Sequence, residues 1–204
     1  MEGDWSGASY FLAAGALGRR AVRVQGLRAA SLQGDRAMLD ILRKMGARLE
    51  VEPDAVTVYP SEMHGVALDM GSCPDLVPTV AVLAAFAKGS TRISNVAHLR
   101  IKESDRINAP ATELAKTGVT VDELSDGMLV NGMGGLAGHR RNEPDSPRLP
   151  EGATLSAHND HRMAMSLALL GLRVPGLRVR ERLDDPTVVR KSFPRFWDVW
   201  SRLQ

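Results

Sequence analysis

The chain has 204 residues, 44% of them hydrophobic, and a formal charge of only +2; that is enough apolar material for one substantial core and too little basic excess for a nucleic-acid groove. Its single cysteine excludes an internal disulfide, and no apolar run approaches the ~18 residues of a membrane span. Of the 26 basic residues 21 are Arg, whose planar fork suits carboxylates and phosphates, so small anionic ligands are the favoured partners, with no nucleic acid, no membrane and a cytoplasmic setting.

In chain order, "MEGDWSGASYFLAAGALG" lacks a basic leader and enters a helix almost at once, with Asp4 as its cap and Ser6 in its first turn. So abrupt a start is expected of a chain from which something upstream has been removed. A basic alternating strand in "RRAVRVQGL" comes next, then an amphipathic helix in "DRAMLDILRKMGA" and a hairpin turning at Pro53 and Asp54. "CPDLVPTVAVLAAFAKGSTRISNV" repeats the opening pattern: Asp75, a helix apolar on every side, and a strand. "HLRIKESDRI" packs His98, Arg100, Lys102, Glu103, Asp105 and Arg106 together before a second amphipathic helix, "DRINAPATELAKTGV", and a hairpin turning at Asp126 and Gly127. "GLAGHRRNEPDSPRLPEG" reads as a surface loop. The pattern then recurs in "HNDHRMAMSLALLGLRVPGLRVRE", with Asp160 as cap and a closing strand, and ends on the aromatic helix "SFPRFWDVWSRL".

These segments form an internal repeat. Asp4 to Asp75 is 71 residues, Asp75 to Asp160 is 85, and the helix-closing Gly46 and Gly118 lie 72 apart. The predicted fold class is α/β: a single domain over 1–204 made of three β-α-β-α-β-β units, the third incomplete. Helices apolar all round must lie inside and amphipathic ones outside. Three inner helices whose N-termini emerge at one end would make an anion-attracting surface.

On spacing alone Asp75 is either a plain cap or a base, with Pro74 fixing its approach and an apolar floor raising its pKa. Lys102 shares a strand face with Arg100, and Glu103 and Arg106 are neighbours once the helix starts, so a site and a solvated charged helix start both fit. His161 and Arg162 set positive charge against a helix dipole, and Lys191 occupies a strand-to-helix junction equivalent to that of Lys102. Cys73 reads as a small buried residue rather than a nucleophile. His158 and His161 without further ligands make a weak metal site, so no metal is expected.

Together "EGDWSGASYFLAAGAL", the Pro74-Asp75 pair, "LRIKESDRI", "NDHRMAMSLAL" and "RKSFPRFW" resemble, along the whole chain, the C-terminal half of the 5-enolpyruvylshikimate-3-phosphate synthase family, the 3-phosphoshikimate 1-carboxyvinyltransferases. The resemblance implies an enolpyruvyl-transferase-type inside-out α/β domain, one of two jaws that close on shikimate 3-phosphate and phosphoenolpyruvate, with no cofactor. It implies Asp75 as proton acceptor near the attacking 5-hydroxyl and Lys102 as a shikimate-side contact. It further implies Glu103 as the acid/base residue near the phosphoenolpyruvate methylene, and Arg106, Arg162 and Lys191 as the clamp on that substrate. His98 stands where some members carry an Asn that reaches shikimate 3-phosphate. The N-terminal half, with its own Lys, Ser and Arg residues for both substrates, is the missing partner, so the chain alone is expected to turn over poorly. The sister transferase acting on UDP-N-acetylglucosamine and a noncatalytic anion-binding half-domain are the alternatives.

Overall fold

The computed structural model describes residues 2–134 and 147–203; most of the expected loop at 135–152 therefore lies outside the described residues. Helix α1 (Trp5–Leu17) starts where Asp4 accepts from the amides of Ser6 and Gly7, a cap that offsets two otherwise unpaired donors. Eleven of its thirteen residues are buried, because its Ala-rich surface has no polar stripe to present to water. Strand β1 (Val22–Gln25), helix α2 (Met38–Lys44) and the hairpin β2 (Leu49–Val51) to β3 (Ala55–Val58) complete the first unit, with sheet order β1-β3-β2. The hairpin turns at Pro53 and Asp54, closed by the Glu52 amide on the Ala55 carbonyl at 2.8 Å.

The second unit carries β4 (Ala67–Asp69), α3 (Val77–Ala85), β5 (Lys88–Ser94), α4 (Asn108–Ala115), β6 (Thr120–Leu124) and β7 (Gly127–Met133), in sheet order β4-β5-β7-β6. β4 pairs parallel with β5, and the other pairs are antiparallel. All nine residues of α3 are buried. The β6–β7 turn falls one residue earlier than expected, at Ser125 and Asp126, because Leu124 pairs directly with Gly127 and makes that glycine the first residue of β7. The helix-closing glycines of the repeat take φ of +94° at Gly46 and +89° at Gly118, a left-handed conformation that costs side-chain-bearing residues free energy and explains their recurrence.

In the third unit α5 (His161–Leu167) is capped by Asp160 and runs on as a 3-10 segment, Ala168–Leu172. The expected closing strand does not form. Pro175 lacks an amide to donate and Gly176 turns the chain at φ +76°, so the segment becomes a turn and the short α6 (Val179–Arg182), with only a Leu155–Leu183 bridge nearby. The chain ends on α7 (Phe196–Trp200), whose Phe196 and Trp200 pack with Phe11 of α1 at ring separations of 5.9 and 5.7 Å. The buried apolar side chains, Cys73 among them, form one cluster around α1, α3 and α5. Inside it Thr79 of α3 and Ser166 of α5 share a hydrogen bond of 3.1 Å, both side chains being buried.

α1 presses against β3 so closely that a Cβ on Gly15 would lie 2.7 Å from the Val58 carbonyl oxygen and 2.9 Å from its Cβ. Backbone on the strand side cannot yield cheaply, so Gly15→Ala should destabilise the chain by about 1–3 kcal/mol despite the better helix propensity of Ala. A lowered urea midpoint with an unchanged slope is the expected readout.

Candidate functional site

Three segments bring ionisable groups to one end of the inner helices: the 3-10 turn Pro74–Leu76 before α3, the stretch 102–106 before α4, and the start of α5. Arg106 is the centre. Its side chain is 2% exposed, and it binds three carboxylates: Nε donates to Asp160 Oδ2 at 2.7 Å, Nη1 to Asp75 Oδ1 at 2.9 Å, and Nη2 to Glu103 Oε2 at 2.9 Å. Asp160 is fully buried and also accepts from the Arg162 amide at 2.9 Å and from Ser104 Oγ at 3.0 Å. The Asp160–Arg106 pair is thus both helix cap and floor of the site.

Above this floor the groups become wetter. Arg162 Nη2 donates to Asp75 Oδ2 at 2.7 Å, so Asp75 bridges two guanidinium groups. Lys191 closes the ring at the rim with Nζ 3.4 Å from Glu103 Oε1; its side chain is 56% exposed, so this contact adds little stability. The aromatic packing of α7 on α1 holds the Lys191 segment in place.

Burial pushes the Asp160 carboxyl up, but the Arg106 guanidinium, the Arg162 amide and Ser104 outweigh it and hold it below the usual carboxylate range. Arg106 is in turn held up by its carboxylates against the cost of burial. Glu103 is held low by its own backbone amide, with Arg106 and Lys191 outweighing desolvation, and is ionised at neutral pH. Burial pushes His161 down, so its imidazole is neutral there. The positive charge that opposes the α5 dipole therefore comes from Arg162 and not from His161. That Arg is already paired with Asp75.

The sequence reading and the structure differ at several residues. Asp75 caps nothing: it lies inside the 3-10 turn, α3 has no side-chain cap, and its surroundings are two guanidiniums rather than an apolar floor. Residues Ala97–Ile101 form a 3-10 helix and not a strand, so alternate residues do not share a face. Arg100 accordingly points to Asp105 and Glu123 at 3.0 Å each and is tied to β6, away from the cluster. Lys191 likewise closes a 3-10 segment, Pro186–Lys191, rather than a strand. Lys102 and His98 are exposed and, among the described residues, make no hydrogen bond or ion pair with the cluster. Asp75, Glu103, Arg106, Arg162 and Lys191 are brought together.

Asp35 belongs to the same neighbourhood, and sequence reasoning misses it. Its carboxyl is hydrogen-bonded to Ser6 Oγ at the start of α1, and burial pushes it up, with Ser6 opposing and the charge of Asp75 adding. The available signal is "QGDR", which stands in the first unit where "ESDR" stands in the second. Tyr10, buried on α1, has its hydroxyl pushed up by desolvation beside Arg162 and forms part of a small cavity of about 90 Å³ with Ser6, His161, Arg162 and Ser192. Among the described residues no cluster of three or more His, Cys, Asp or Glu side chains is arranged to hold a metal, and no helix is long and apolar enough to cross a membrane.

Asp75, Glu103 and Asp160 thus face Arg106, Arg162 and Lys191 in a cluster that runs from a buried floor to an exposed rim. Such an arrangement can hold an anion only by displacing carboxylates from guanidinium groups, and the displaced carboxylates are then free to move protons.

A family model described as EPSP synthase (3-phosphoshikimate 1-carboxyvinyltransferase) matches residues 1–200. The 3-phosphoshikimate 1-carboxyvinyltransferase of Syntrophobacter fumaroxidans is 46% identical over 205 residues, covering 100% of this chain and 44% of that protein. The enzyme of the same name from Methanocaldococcus jannaschii is 38% identical over 204 residues, with the same shares of 100% and 44%. Among solved structures, the EPSP synthase of Acinetobacter baumannii superposes with a TM-score of 0.80 at 26% identity, covering 100% of this chain and 46% of that one. An enolpyruvyl transferase from Streptomyces tendae, at 24% identity and a TM-score of 0.70, shares the fold and covers 100% of this chain and 43% of that one. The chain spans less than half the length of the relatives it matches.

Proposed function

The chain belongs to the EPSP synthase (3-phosphoshikimate 1-carboxyvinyltransferase) family, and we propose that it supplies the C-terminal domain of a cytoplasmic enzyme that transfers the enolpyruvyl group of phosphoenolpyruvate to the 5-hydroxyl of shikimate 3-phosphate. The observation that carries this reading is Asp75 bridging Arg106 and Arg162 while Glu103 bridges Arg106 and Lys191. Two carboxylates on three shared cations match a reaction that moves two protons beside a multiply charged anion.

Arg106, Arg162 and Lys191 bind the carboxylate and phosphate of phosphoenolpyruvate, and in doing so release Asp75 and Glu103 from their ion pairs. Glu103 then loses the cations that hold it ionised and faces anionic substrate instead, which raises its pKa and equips it to carry a proton. Asp75 takes the proton of the 5-hydroxyl as that oxygen bonds to the central carbon of phosphoenolpyruvate, and Glu103 delivers a proton to the methylene, giving a methyl group on a tetrahedral carbon. Glu103 then takes a methyl proton back as the double bond re-forms and the carbon–oxygen bond to phosphate breaks, and the proton held by Asp75 passes to the departing phosphate. The net products are the enol ether and inorganic phosphate. Lys102 and His98 are exposed and free of ion pairs among the described residues, and we assign them to contacts with shikimate 3-phosphate, since engaging them breaks no existing pair.

Three acidic and three basic side chains leave the cluster with no net positive charge. An anion carrying about three charges needs further cations to be bound and oriented, and these are assigned to the absent N-terminal half. Phosphate release from phosphoenolpyruvate in the presence of shikimate 3-phosphate is therefore expected to be negligible with this chain alone and restored when a separately produced N-terminal half is added. Robust turnover by the chain alone would overturn the half-site reading. Failure of the pair to turn over while phosphoenolpyruvate still binds would favour a noncatalytic anion-binding domain.

A further inference from the structure

A second charged cluster lies behind the first. Glu113 sits on α4, seven residues after Arg106, which lies just before the helix begins at Asn108. Its side chain is 1% exposed. Lys116 Nζ donates to its two oxygens at 2.8 and 2.9 Å, the Ser156 amide donates at 2.9 Å, and His158 Nε2 lies at 2.9 Å. A buried carboxylate costs several kcal/mol unless it is fully partnered, so these partners are not interchangeable with solvent. On the opposite flank, Asp184 accepts from the Ala157 amide at 2.8 Å and from Ser156 Oγ at 2.6 Å. Residues 156–158 are gripped from both sides.

The backbone at the end of this gripped stretch is unusual. His158 and Asn159 take φ of +50° and +53° in succession, a left-handed pair that persists only where its surroundings fix it. The next residue is Asp160, which meets Arg106, and two further on is Arg162, which meets Asp75. Asp184 immediately precedes Asp185, which caps the 3-10 segment that ends in Lys191. The three elements bearing Arg106, Arg162 and Lys191 therefore converge on residues 156–158.

We infer that Glu113 and Asp184 form a carboxylate clasp on residues 156–158, and that Glu113 is a positioning residue that keeps Arg106, Arg162 and Lys191 in register with one another. The clasp serves the same site as the proposed transfer reaction, but it is testable without turnover. In the ¹⁵N-labelled 204-residue chain, Glu113→Gln is expected to speed solvent exchange of the buried Arg106 Nε–H by about tenfold or more and to shift the Arg162 Nε–H resonance, while the α3 amides stay protected. Should Glu113→Gln not fold, His158→Asn decides: Asn tolerates the left-handed conformation and leaves the Glu113–Lys116 pair intact, yet cannot reach Glu113 in the same way. It is expected to move the same two resonances in the same direction. Unchanged Arg106 exchange in a folded variant, or acceleration shared equally by the α3 amides, would overturn the inference. A chain that never supports enolpyruvyl transfer with its missing half would leave these exchange rates untouched, so the two readings fail separately.

Discussion

Asp75→Ala is expected to lower kcat of the enzyme reconstituted from both halves by about 10²–10⁴, the range that general acid–base groups contribute. The same substitution removes a carboxylate from Arg106 and Arg162, at 2.9 and 2.7 Å respectively. Both guanidiniums then meet the phosphoenolpyruvate anion without a competitor, so its KM should hold or fall while kcat collapses. That split separates a proton-transfer role from a structural one, because a merely loosened site would raise KM. The Asp75 side chain is 36% exposed but its partner Arg106 only 2%, so the melting temperature should fall by less than it does when the fully buried Asp160 is changed. A kcat within tenfold of the parent enzyme would remove Asp75 from the chemistry.

Asp160→Asn should produce the largest loss of stability of any change in the cluster. The amide keeps the cap on α5 and nearly the same shape, but Arg106, 2% exposed, is left with one charged partner fewer. Breaking a buried ion pair from one side costs about 3–5 kcal/mol; with Asp75 and Glu103 still bound to Arg106, the lower end is expected. At about 2–4 °C per kcal/mol for a chain of this size, the melting temperature should fall by roughly 6–12 °C. Since the folded Asp160 carboxyl lies below its unfolded value of about 3.9, its contribution is fully present above about pH 4. It is lost as pH falls through the folded value, where the unfolded chain already binds the proton. The wild-type melting temperature should therefore drop more steeply than that of Asp160→Asn on acidification below pH 4. Parallel acid limbs for the two proteins would contradict the assignment.

Much of the fold is legible in the sequence because its signals are redundant. The α1 and α3 segments are apolar on all sides, which no surface helix can be, and Gly46 and Gly118 mark the repeat by a backbone conformation that favours glycine. The closing strand of the third unit is a misreading because a basic alternating pattern says nothing about whether a pairing partner exists, and the Pro175-Gly176 break carries more weight than the alternation. At the site, residue types are readable but their pairings are not. Arg100 and Arg106 look alike in "LRIKESDRI", yet one is spent on the β6 hairpin and the other gathers three carboxylates. Asp35 escapes notice because its relevance depends on the 33–36 loop lying beside the start of α1, a long-range fact that its own sequence neighbours do not encode.

The hydrogen bond between Thr79 and Ser166 has a consequence for accuracy. Two greasy helices such as α3 and α5 can slide past each other at small cost, since one apolar contact replaces another. A hydroxyl pair sealed between them resists sliding, because displacement breaks a hydrogen bond between two desolvated groups. It works like the detent of a vernier. Asp75 lies at the entrance of one helix and Arg162 at the entrance of the other, so this internal notch fixes how far apart the two groups stand before any substrate arrives.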